Sequence, residues 1–138
     1  MKKSLTKTRL SKKSLRKEAD ALVQKFADGV FCLLCGKPAE VIHHFVRKSQ
    51  SSYLRYDPAN FVPLCNPHHF SIERKGDPFL QQRLMKLLGK GRVGYLETTR
   101  RIGVKTNREF YEDSIEKLEQ ILQESSLMGF GAVIGSSL

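Results

Sequence analysis

Two short clusters of metal-ligating side chains constrain this chain more than any other feature. Cys32 and Cys35 are separated by two residues, as are Cys65 and His68, and His69 follows directly. His43-His44 and Asn60 lie between the clusters. All 3 cysteines and all 4 histidines fall between positions 32 and 69. Thiolate and imidazole are the ligands zinc prefers, and two such pairs supply the four corners of a tetrahedron. The spacing therefore predicts a structural Zn²⁺ site made of Cys32, Cys35, Cys65 and His68. The competing reading leaves His68 on a helix surface and gives zinc another ligand. An odd cysteine count paired with histidine argues against a disulfide framework and for a reducing compartment.

His43, His44 and His69 are left over once those four are assigned. Neighbours on a helix diverge by about 100°, so His68 and His69 cannot comfortably serve one ion. If His68 faces the zinc, a second site follows at His69. His43 and His44 end a strand, where alternation sends neighbours to opposite faces. For both to work in one site, the chain must bend there.

The length, 138 residues, suits one domain, and an apolar content of 40% allows a modest core that a metal would help to close. The net charge is +10, and eight of the 24 basic residues lie in positions 1–17 without an acid. The remaining 16 basic residues face 14 acids, so a basic arm sits on a balanced body. That pattern suits a polyanion, most commonly nucleic acid, with Lys12, Lys13, Arg16 and Lys17 as candidate contacts. A solvated solubility tail is the plain alternative. There is no apolar signal segment, although the composition of the arm is compatible with a mitochondrial transit peptide. No apolar run reaches membrane-spanning length.

Along the chain, residues 1–10 read as a disordered arm, 11–125 as one folded unit, and 126–138 as a flexible tail. Leu15, Ala19, Leu22, Val23 and Phe26 predict a helix over 11–27, ended by Asp28-Gly29. Gly36 permits the tight turn of a metal knuckle. Strands are expected over 39–45 and 61–64, joined by a long polar and basic connection over 46–59, a length that is usually functional. Pro67 suits a helix start over 66–74. Asp77-Pro78 predicts a helix over 77–88 with Leu80, Leu84, Leu87 and Leu88 inward, and Gly89 terminating it. A further short helix is expected over 91–102. Thr106 to Glu109 reads as a capping box for a last helix. Its stripe of Tyr111, Ile115, Leu118 and Leu122 suits core packing, with a homodimer interface as the alternative. The fold class is α+β: a metal core over about 30–76, flanked by helices over 77–125.

The run Cys-x2-Cys, His43-His44-Phe45, Asp57 to Cys65, then x2-His-His resembles the HNH nucleases. That resemblance implies a zinc-knuckle, treble-clef-like ββα-metal fold. Typical members carry a fourth cysteine where this chain has His68. Within the family, Cys-x2-Cys-Gly, Leu54-Arg55-Tyr56 and a downstream Arg-Ile-Gly are most similar to the NinG/Rap recombination nucleases of lambdoid phages. Those enzymes act on branched DNA such as Holliday junctions.

The resemblance implies that His44 is the general base, that His43 and His69 ligate one divalent ion (Mg²⁺ or Mn²⁺), and that Asn60 pins the loop. It further implies 5′-phosphate and 3′-hydroxyl products and a cytoplasmic location in a bacterial or phage-infected host. Glu73, one helical turn beyond His69, can complete the ion's shell or pair with Arg47 or Arg74. A carboxylate there would harden an otherwise soft donor set. In the long loop, Arg47, Lys48 and Arg55 are interleaved with Tyr53 and Tyr56, which suits phosphate contact and base stacking. Arg47 is the candidate for transition-state charge. The aromatics can equally pack the loop onto the body. The expected activity is endonucleolytic cleavage of branched DNA. The alternatives are a non-catalytic zinc-bound DNA-binding module, or a nicking or restriction-type HNH nuclease without structure preference.

Overall fold

The computed structural model describes residues 10–128. Most of the arm, and the tail beyond 128, therefore lie outside the described residues. Helix α1 spans Lys12–Lys25, and the Ser11 hydroxyl caps it by accepting from the Ser14 amide. Leu15, Ala19 and Val23 recur at steps of four and are buried, which gives α1 one apolar face. The helix ends two residues before the expected 27, because the amides of Phe26, Ala27 and Asp28 each bond three residues back and tighten the last turn.

The knuckle follows. An isolated bridge joins Phe31 to Pro38, the Cys32 amide donates to the Lys37 carbonyl, and the Gly36 amide returns to Cys32. Gly36 takes φ 76, a left-handed conformation that glycine adopts without a Cβ clash. The strands are shorter than expected at the first: β1 is Val41–His44 and β2 is Phe61–Leu64. They pair antiparallel with Val41 opposite Leu64 and His44 opposite Phe61. Pro63 donates no bond, a lack that a two-stranded sheet tolerates, and its carbonyl accepts from Leu33 of the knuckle. A single turn of 3₁₀ helix, Pro58–Asn60, precedes β2.

Helix α2, Asn66–Glu73, starts directly after Cys65, and the Glu40 carboxylate accepts from the Asn66 amide at its head. Helix α3 is Pro78–Leu88, capped by Asp77 through the amides of Phe79 and Leu80. Its buried arc centres on Leu84 and Leu88, which leaves Leu87, expected inward, 48% exposed at the margin. Gly89, at φ 89, turns the chain at once into α4, Lys90–Thr99. Helix α5, Arg108–Met128, runs past the expected end at 125. The cap of α5 also differs from expectation: Asn107, not Thr106, accepts from the Phe110 amide. Asn at this position caps well because its side-chain oxygen reaches the third amide.

The stripe on α5 is core. Tyr111, Ile115 and Leu118 pack with Leu15, Ala19 and Val23 of α1 and with Phe26, Ile42 and Phe61; Leu122 packs against the same cluster. Phe26 and Phe61 meet edge to face at 5.1 Å. A second cluster joins Cys32, Leu34, Val62, Leu64, Cys65 and Ile72 to Leu84 and Leu88. The sheet therefore lies between two apolar groups, one helical and one beneath the knuckle. The molecule is mixed α+β, and among the described residues no helix is long and apolar enough to cross a membrane.

Candidate functional site

Knuckle and helix head bring the Cys32, Cys35 and Cys65 thiols and the His68 ring together, all four donor atoms within 4.8 Å of one another. Cys35 Sγ lies 3.7 Å from Cys65 Sγ, a contact and not a disulfide. His68 Nδ1 lies 3.3 Å from Cys65 Sγ and 3.7 Å from Cys32 Sγ. A tetrahedral Zn²⁺ with bonds of about 2.3 Å to sulfur and about 2.0 Å to nitrogen has donor–donor edges of about 3.5–3.8 Å. The donor set and its edges fit zinc. The group also gathers negative charge. Burial opposes ionisation of Cys32, but the amides of Cys65, Cys35 and Leu34 and the His68 ring outweigh it and bring the thiol down to about 6. Burial, and the neighbouring Cys32 and Cys35 thiols, push Cys65 up. One thiolate thus forms readily and hinders the next, a conflict that a divalent cation resolves.

The second group forms on the other side of the α2 row. His43 from β1 meets His69 and Glu73 from α2, with one donor atom from each within 4.8 Å of the others. The His43 and His69 rings are 5.4 Å apart, edge to face. His43 Nδ1 approaches Glu73 Oε2 to 3.0 Å. Nδ1 is buried, and among the described residues the Glu73 carboxylate is the polar group the structure sets against it. Two groups at this separation can pair with each other, and they can also serve as neighbouring ligands of one ion. An octahedral ion with bonds of about 2.0–2.1 Å has cis edges of about 3 Å. Burial first, and then the charges of His69, His44 and Arg47, hold His43 down at about 4 against the pull of Glu73. The ring is therefore neutral at physiological pH, the state a ligand requires.

His44 lies outside that trio. Strand alternation persists through both histidines, and the His44 ring turns toward Phe61, 5.7 Å away. Its Nε2 is 2.9 Å from the Arg55 carbonyl. A carbonyl only accepts, so Nε2 carries the proton and the Nδ1 lone pair is left available. Burial is the main cause of a value near 4 for His44, opposed by the Arg55 carbonyl and reinforced by Lys48.

Asn60, fully buried, organises the long loop. Its Oδ1 accepts from the Val46 amide at 2.7 Å, and its Nδ2 donates to the Val46 and Leu54 carbonyls. Leu54 and Tyr56 are buried, so two of the loop's apolar side chains pack against the body, while Tyr53 remains 40% exposed. Arg47 and Lys48 are exposed, and their charges act on His43 and His44 respectively. Arg55, expected among the DNA-facing cations, is instead clamped by Asp20 through bonds of 3.1 and 2.7 Å, which offsets its charge. On α1, Lys12, Lys13 and Lys17 are exposed and Arg16 half-buried, with no acid in the first turn. Cations at a helix start oppose the macrodipole, so helix stability does not account for them.

Two positioning residues escape the sequence reading. Asp20 holds the Arg55 guanidinium and also accepts from the Tyr56 hydroxyl, fixing the residue whose carbonyl orients His44. Arg92, buried on α4, donates to the Ala59 and Phe61 carbonyls on either side of Asn60. Neither belongs to a motif. A buried arginine in an otherwise weakly amphipathic helix is the only trace Arg92 leaves.

Comparison of the chain with protein-family models, with curated proteins and with solved structures finds no match.

Proposed function

We propose that this chain is a metal-dependent DNA endonuclease of the HNH type, with a ββα-metal core formed by β1, β2 and α2. The observation that carries this reading is the ligand trio of His43, His69 and Glu73 together with the imidazole of the next residue, His44, whose tautomer the Arg55 carbonyl fixes. His43, His69 and Glu73 would hold one divalent ion, Mg²⁺ or Mn²⁺, and Cys32, Cys35, Cys65 and His68 a Zn²⁺. The divalent ion, when bound, supplies Lewis-acid stabilisation of the scissile phosphate and of the departing 3′-oxygen.

The chain's own groups supply the rest. His44 Nδ1 accepts the proton of a water, whose oxygen attacks phosphorus opposite the 3′-oxygen. The P–O3′ bond breaks, and the departing 3′-oxygen takes a proton from solvent water, leaving a 5′-phosphate and a 3′-hydroxyl. The Arg55 carbonyl keeps the His44 proton on Nε2 throughout, and Asn60 keeps the loop carrying Arg55 in register. Arg47 is exposed on the His43 side, where it can meet the charge that grows on the phosphate oxygens. Lys48 and the α1 cations suit the DNA backbone, and branched DNA is the substrate that the motif's resemblance favours.

The test is cleavage of matched linear, forked and four-way DNA by the purified chain with Mn²⁺ or Mg²⁺. His44→Ala should lower the rate by about 10²- to 10⁴-fold, the usual worth of a general base. Zinc content and DNA affinity should persist. Wild-type binding without cleavage would identify a zinc-bound DNA-binding module. Equal rates on all three substrates would remove the branch preference.

A further inference from the structure

Helix α2 presents its side chains in fixed rotational steps of about 100° per residue. His68 faces the thiols and His69 faces His43 and Glu73. Phe70 is the next step, and it emerges toward solvent, 50% exposed. The Arg74 guanidinium carbon lies 5.9 Å from the Phe70 ring centroid, and the Lys75 ammonium 5.8 Å. Phe70 is three positions before Glu73, so their Cβ atoms are about 5–6 Å apart. A row of one aromatic and two cations thus runs alongside the row that can hold the divalent ion.

A lone exposed phenylalanine needs no explanation. This one has cations for neighbours and borders the ion-binding trio. Both cations lie near the outer limit of cation–π contact, about 6 Å, and both residues are exposed, so a flat ligand can displace them from the ring. Aromatic faces flanked by cations are how proteins hold unpaired bases. The ring stacks on any base, and the cations take the adjoining phosphates.

We propose that Phe70, with Arg74 and Lys75, is a stacking site for an unpaired nucleobase. It deepens the endonuclease reading by naming the residue that would seat the opened end of a branched duplex next to the scissile phosphate. Its consequence for cleavage rests on that reading, while its binding does not.

The experiment separates the two. Full-length, zinc-loaded protein carrying His44→Ala is titrated in Mn²⁺ with forked DNA bearing 2-aminopurine at the first unpaired position, and with the matched duplex. Stacking quenches the probe on the fork. Adding Phe70→Ala should abolish the quench and weaken fork binding about fivefold or more, a larger loss than for the duplex. Phe70→Leu, which keeps bulk without a π face, should behave as Ala, and Phe70→Trp should restore the signal. Zinc content and far-UV circular dichroism confirm that each variant is folded. Retention of the quench and of the fork preference in both Phe70→Ala and Phe70→Leu would overturn the site, whether or not the wild type cuts DNA. A wild type that cuts nothing, yet loses its quench with Phe70, would leave the site standing and remove the nuclease.

Discussion

The sulfur cluster and the imidazole–carboxylate trio are built from neighbouring residues of α2, yet they are opposite kinds of site. The first is closed: four donors from two segments, edges matching a tetrahedron, and apolar packing from Leu34, Leu64 and Ile72 around it. The second has three donors, among them a buried ring nitrogen set 3.0 Å from a carboxylate 31% exposed. A six-coordinate ion held there, as proposed, would keep positions for water and phosphate. Closed sites fold proteins and open ones do chemistry. The contrast teaches that a one-residue step along a helix suffices to send two imidazoles to two separate groups of candidate ligands.

The largest effect that could break this contrast is expected at Cys65. Structural zinc contributes about 10–16 kcal/mol in small domains, comparable with or above the whole stability of a domain this size. Cys65→Ser should therefore unfold the protein and release zinc, as read by circular dichroism and elemental mass spectrometry. A folded, zinc-loaded variant would remove the scaffold role.

A smaller effect is expected at Asn60. Asn60→Ala removes three buried bonds and strands the Val46 amide, a cost of about 2–4 kcal/mol. Urea unfolding should register that loss while zinc stays bound. Loss of zinc together with Asn60 would mean that the two regions are not independent.

The smallest effect sharpens the contrast through pH. The folded His44 titrates near 4 instead of its ordinary 6.5. Between those values the unfolded chain binds a proton that the folded chain refuses. Stability is therefore full above pH 6.5 and falls as the pH drops toward 4. Unfolding free energies from urea titrations at pH 6.5 and 4.5 should differ by about 2 kcal/mol less in His44→Asn than in the wild type. An equal difference would place the titration elsewhere.

Much of this arrangement is legible in the sequence because its signals are local. The Cys-x2-Cys and Cys-x2-His spacings mark the four thiol and imidazole donors, and the one-turn offset from His69 to Glu73 marks the carboxylate of the second group. The stripes of Leu15–Ala19–Val23 and Tyr111–Ile115–Leu118 mark the faces that pack α1 on α5. What the sequence hides is contact between side chains and partners far along the chain, whether side chain or backbone. Asp20 reaches Arg55 across 35 positions, and Arg92 reaches Ala59 across 33. No periodicity records a side chain that seeks a carbonyl. The histidine pair shows the same limit: the bend expected for a shared site is absent, and alternation aims the His43 ring at α2 and the His44 ring at Phe61 and the loop.

If both groups bind metal as proposed, the adjacency of His68 and His69 also implies an order of assembly. On the proposed reading zinc would tether the short helix at its head through Cys65 and His68, and so help to hold His69 and Glu73 opposite His43. A chain starved of the thiophilic ion would lose its second ion as well, however abundant the latter, whereas depletion of the second would leave the first in place. Maturation would thus run in one direction, with zinc supply as its gate.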